Sequence, residues 1–144
     1  MPLESKRLKV SSILILIFTT IGLIMLLVQL GRLLGALSHV PELNLSGLVA
    51  FVVISGFGRG VFNYIVGGFG LKYWDMPEKA HICFRLGIAL IIFHVVFYVV
   101  EHIVMAVTAE SLGVPPMSPG FFNFAINLIL PIIYTTGAAK IKER

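Results

Sequence analysis

His94, Tyr98 and Glu101 stand at i, i+4 and i+7, a spacing that brings all three to one face of an α-helix. Imidazole titrates near neutral pH, and a carboxyl group can be raised toward that range by burial, so this face could relay protons. Two arginines lie in similarly apolar surroundings, Arg32 and Arg59. An arginine at the centre of a hydrocarbon layer costs ~2.5–3.5 kcal/mol on insertion scales, so Arg59 is expected to face protein and to have an acceptor. Glu101 is the carboxylate available to both arginines within the apolar stretches. The expectation is that Glu101 pairs with at least one of them. Tyr98, Asn63 or a backbone carbonyl near Gly56–Gly60 would assist Arg59, while Asn127 adds a further polar group. Such a layer serves a ligand or ion site, or it specifies which helices pack together.

Four apolar stretches must position these groups, roughly residues 11–37, 46–71, 82–108 and 120–139. Each matches the ~20 apolar residues an α-helix needs to cross ~30 Å of hydrocarbon. Helices are expected rather than strands, because barrel strands are ~10-residue alternating segments and an open sheet cannot satisfy its backbone in lipid. Residues 1–144 therefore read as a single all-α membrane domain, a four-transmembrane-helix bundle. The chain is 58% hydrophobic and 12% charged, far below the ~25% charged content of soluble domains.

The charges set the orientation. Lys6, Arg7 and Lys9 precede the first stretch, Lys72, Lys79 and Arg85 flank the second connection, and Lys140, Lys142 and Arg144 close the chain. The connections Ser38–Leu45 and Ala109–Pro119 contain Glu42 and Glu110 and no lysine or arginine. This asymmetry places both termini on the cytoplasmic side. It makes the net charge of +4 a signal for topology and anionic lipid, not for nucleic acid. The protein is expected to be integral and multi-pass, in the cell membrane if prokaryotic.

Counting ~1.5 Å per residue from the outer ends gives two polar layers. Gln29, Arg32, Glu101, His102 and Asn127 form an outer one, and Arg59 and His94 lie near mid-membrane. In the second stretch Gly56, Gly60, Asn63 and Gly67 form one stripe. It reads as a face for close helix packing, with a discontinuous helix lining a site as the alternative. Pro131 is expected to kink the fourth helix. Asp75, Pro77 and Glu78 look like a helix start before the third.

Signatures of recognised chemistry are few. The sequence contains no Gly-x-Ser-x-Gly elbow, His-Glu-x-x-His, Cys-x-x-Cys or phosphate-binding loop in strand–helix context, so the reading leans away from an enzyme. Cys83 is the single cysteine, which leaves no intrachain disulfide or cysteine-based metal site. The run Arg85-Leu-Gly-Ile-Ala-Leu-Ile-Ile-Phe-His94 resembles the Arg-plus-His helices of membrane b-type cytochromes, and that resemblance implies haem b held through His94. Bis-histidine ligation needs a second histidine on a facing helix. His102 shares the helix, His81 lies at its start and His39 is in the first connection, so a partner chain would have to supply that ligand. No resident cofactor or metal is predicted from this chain alone. The leading expectation is a noncatalytic subunit or assembly factor of a larger membrane complex. A proton- or ion-linked transporter or channel working as a homo-oligomer comes second, and a cytochrome b-like or quinone-site redox subunit third.

Overall fold

The computed structural model describes residues 3–37, 46–112 and 121–142. They form four α-helices: α1 (Leu3–Leu37), α2 (Ser46–Tyr73), α3 (Ala80–Leu112) and α4 (Phe121–Lys142), with a single 3-10 turn at Pro77–Lys79 before α3. Leu3–Arg32, Val49–Tyr73 and Pro77–Glu110 are each long and apolar enough to cross a membrane. Helix α1 starts eight residues ahead of its apolar stretch, and α3 runs on through Ala109–Leu112, where a loop was expected. The rest of that connection, with its three prolines, and Ser38–Leu45 with His39 and Glu42 lie outside the described residues.

The helices pack in a ring in chain order. Helix α1 lies against α2 and α4, α3 lies against α4, and the α2–α3 seam is the lightest side. Glycine explains the α1–α2 side. Gly56, Gly60, Gly67 and Gly70 meet Leu26, Leu23, Leu16 and Ser12 in turn, an antiparallel register kept over about four turns. A Cβ on Gly60 or Gly67 would sit 2.8 Å from the facing leucine. The stripe is thus a packing face. Helix α2 is continuous through it, which overturns the discontinuous alternative.

The core lies at one end, among Leu8, Ile15, Val66, Ala80, Cys83, Leu90, Tyr134, Ala138 and Ile141. This proximal half comprises the start of α1, the end of α2, the start of α3 and the end of α4. Tyr134 is 0% exposed and is the largest fully buried side chain. Its ring is admitted by the missing side chains of Gly70 on α2 and Gly87 on α3. Its hydroxyl donates to the Val66 carbonyl at 3.1 Å, a bond across the diagonal of the ring. Gly137 lets α4 approach the α1 backbone at Leu8. In the opposite, distal half, Ser55, Ala109 and, at the midpoint of α4, Pro131 are the buried residues among those described.

Hydroxyl groups inside the apolar helices are satisfied locally. Ser11 and Ser12 donate to the Leu8 carbonyl, Thr19 to Ile15, Thr108 to Val104 and Thr135 to Pro131. This back-bonding to the preceding turn lets a hydroxyl sit in an apolar helix without an exposed donor. Thr20 donates in the same way to Leu16, which makes the Tyr64 hydroxyl the donor in its 2.6 Å bond to Thr20. Helix α4 continues through Pro131. Before α3 the N-cap position is Met76, with no side-chain cap and with Pro77 opening the turn, so Asp75 is not the capping residue.

Candidate functional site

Arg59 stands midway along α2 and Glu101 two-thirds of the way along α3, which places the pair on the α2–α3 seam where the helix contact is lightest. The Arg59 Nη2 group donates to Glu101 Oε1, an ion pair and a charge-assisted hydrogen bond in one. Their side chains are 27% and 23% exposed. The guanidinium also lies over the Phe97 ring, 5.8 Å from its centroid, within the range at which a ring face attracts a cation. Arg59 Nε is buried and has no hydrogen-bond partner among the described residues.

Depth counting assigned Arg59 and Glu101 to different layers, yet the two meet. The long arginine stem spans the offset, carrying its charge about a turn away from its own Cα. Arg32, whose depth matched Glu101 better, is exposed on α1 and makes no ion pair with it. Competition for this carboxylate is therefore resolved toward Arg59.

His94, two turns before Glu101 on the same face of α3, is 7% exposed. Arg59 lies near enough to act on it electrostatically. The other two described histidines are committed through Nδ1 to backbone carbonyls, His81 to Glu78 at 2.9 Å and His102 to Tyr98 at 3.3 Å. Tyr98 does not assist Arg59. Its ring stacks on Phe124 of α4 (4.0 Å between centroids, 18° between planes) and lies 4.4 Å from that of His102. Asn63 is half-buried on α2 and forms no hydrogen bond with the pair. Asn127 is half-buried on α4, one turn beyond Phe124.

The sequence reading therefore names the charged members of the site but misses its aromatic wall. Phe62, Phe93 and Phe97 run along the seam, with centroids 5.0 Å apart for Phe62–Phe93 and 4.4 Å apart for Phe93–Phe97. Phe97 was legible in one respect, since it precedes Glu101 by four residues and so shares its face. Tyr134 was also missed as the core's centre. Its signal was a polar aromatic in an apolar stretch, opposite helices that supply glycines.

Chemically, the arrangement can hold one positive and one negative charge at mid-bundle beside a buried imidazole. Among the described residues, no three His, Cys, Asp or Glu side chains come together as a group that could hold a metal ion. No protein family, curated protein or solved structure matches the sequence.

Proposed function

We propose that the chain is a multi-pass membrane protein of four crossings, α4 being the fourth. Both chain ends lie on the cytoplasmic side, and the protein serves as a noncatalytic subunit or assembly factor of a larger membrane complex. One observation carries this reading: a charged pair at mid-helix, about a quarter exposed, on the lightest seam of the ring. Acyl chains do not solvate a guanidinium or a carboxylate. Something other than lipid tails therefore covers the seam, and a helix of another protein does so at least cost. The distal half, with little core of its own, then completes its packing against that partner. The clustering of basic residues at the proximal end supports the orientation.

The test is photocrosslinking from seam positions in native membranes. A photoreactive residue at Val100, exposed beside Glu101, is expected to capture an unlike membrane protein that also co-purifies in mild detergent. The same probe at Ile17, on the far helix, is the control. Capture of lipid alone from Val100 would end this reading.

A second reading has its own support. His94 is buried with no backbone hydrogen bond through its ring and within electrostatic reach of Arg59, so Arg59, His94 and Glu101 could line a proton or ion path formed between copies of the chain. Such a path predicts ion flux in liposomes that is lost in Glu101→Gln, and wild-type flux in that variant removes Glu101 from any mechanism. The redox alternative, with haem b at His94, predicts a Soret band in protein purified with its partners.

A further inference from the structure

Trp74 is the single tryptophan of the chain. It follows α2 directly, half-buried, and packs against the core cluster, so its ring is held in place. The Lys9 ammonium of α1 lies over that ring, 4.5 Å from the centroid. Two more lysines at the same end are held in this way, Lys72 over Tyr73 at 5.3 Å and Lys142 over Phe84 at 5.7 Å. Among the described residues none of the three is ion-paired with a carboxylate, although Asp75 and Glu78 are exposed in the adjoining connection. A ring face stabilises a cation without consuming its outward N–H donors, so these charges stay available to an external anion.

The surroundings identify the anion. Tryptophan beside lysine at the end of a long apolar helix marks the plane of the lipid headgroups, and the anions of that plane are phosphates. We infer that Lys9 and Trp74 seat the phosphate of an anionic phospholipid. Lys6, three residues earlier on the same side of α1, supplies a second positive charge. Ile13 and Ile17 continue that side of the helix and are exposed, giving the acyl chain an apolar track below the phosphate. A zwitterionic lipid brings a positively charged amine alongside its phosphate, which Lys6 and Lys9 repel, so the site selects by headgroup charge. The inference needs this end of the chain to lie at a bilayer surface, and it does not depend on any protein partner.

The single tryptophan makes the site directly readable. The full chain is reconstituted in phosphatidylcholine bilayers containing phosphatidylglycerol, with bromine placed on the acyl chains of one lipid and then of the other, and Trp74 fluorescence quenching is measured. Brominated phosphatidylglycerol is expected to quench as if enriched at least about fivefold over its mole fraction, the contribution of one basic residue near a membrane surface. Lys9→Gln should bring the enrichment down toward the mole fraction, and Lys9→Arg should retain it. Inorganic phosphate, added against chloride at equal ionic strength, should not restore the fluorescence. Quenching that follows mole fraction for both lipids, or enrichment unchanged in Lys9→Gln, would overturn the proposal. Recovery with inorganic phosphate would overturn the lipid as its ligand. Failure of both brominated lipids to quench would remove Trp74 from the bilayer surface altogether. Because no partner takes part, quenching that follows mole fraction leaves the complex-subunit reading untouched, whereas no quenching by either lipid would count against that reading as well.

Discussion

In the proximal half, Tyr134 fills space that Gly70 and Gly87 leave open, and its hydroxyl is bound to the Val66 carbonyl across the ring. In the distal half, the described bond between α2 and α3 is the Arg59–Glu101 ion pair, beside side chains that are mostly half-buried or exposed. The first half is held by shape. The second is held by charge, which has no value in packing terms but cannot be left facing hydrocarbon. The contrast matters because the loosely packed distal half is no less apolar in composition than the proximal one. What separates them is where small residues face large ones, and hydropathy does not report that.

Substitutions can break this contrast at either end. The largest effect is expected from Gly87→Ala, because the added methyl meets Thr135 and the Tyr134 ring, both buried. Overpacking of that kind typically costs ~1–3 kcal/mol, and here the upper part of the range is expected, seen as a fall of thermal midpoint in detergent. If Gly87→Ala is as stable as the parent, the tight proximal core is wrong.

Next comes the ion pair. Glu101→Leu strands the guanidinium, and Arg59→Leu strands the carboxylate. Removing one partner of a fully buried pair costs ~3–5 kcal/mol, and the partial exposure of this pair reduces that to about 2 kcal/mol. The double variant is expected to be more stable than either single one, which a double-mutant cycle in the same detergent would measure. Strict additivity would mean that the pair contributes nothing to the seam. Arg32→Leu combined with Glu101→Leu should be additive, since Arg32 does not touch Glu101.

Tyr134→Phe keeps the ring and removes one neutral hydrogen bond, for an expected loss of about 1 kcal/mol. The smallest effect, and the one of opposite sign, belongs to Gly68→Ala. Nothing lies within 4 Å of a Cβ there, so the residue gains helix propensity without a clash and stabilises by up to about 1 kcal/mol. Gly68 and Gly70 are two residues apart in sequence. Opposite signs for alanine at these two sites would be the sharpest demonstration that facing partner, not residue type, separates them.

Much of this was legible in the sequence. Four helices follow from four long apolar stretches, and the glycine stripe Gly56, Gly60 and Gly67 follows from its spacing. The need of Arg59 for an acceptor follows from the cost of an ion in hydrocarbon. The choice of Arg59 over Arg32 was not legible, because it depends on how far helices slide along one another and on where a flexible stem points. Phe97 and Tyr134 escaped for a related reason. An aromatic residue in an apolar helix looks the same whether it faces lipid, a cation or a core, and only the neighbouring helices decide. The start of α1 at Leu3 also lay beyond hydropathy, since Ser5, Lys6, Arg7 and Lys9 are polar yet helical. Leu8 is buried within that segment, and packing extended the helix past its apolar limit.

The diagonal bond of Tyr134 bears on biogenesis. Its ring needs Gly70 and Gly87 from two other helices, and Ser12 of α1 crowds the same space, so the keystone of the core is carried by the last of these four helices to leave the ribosome. Until α4 emerges, the three earlier helices have no Tyr134 to gather around and remain loose neighbours. A chain terminated before α4 would present quality-control proteases with an unclosed bundle, however faithfully its first three helices had formed.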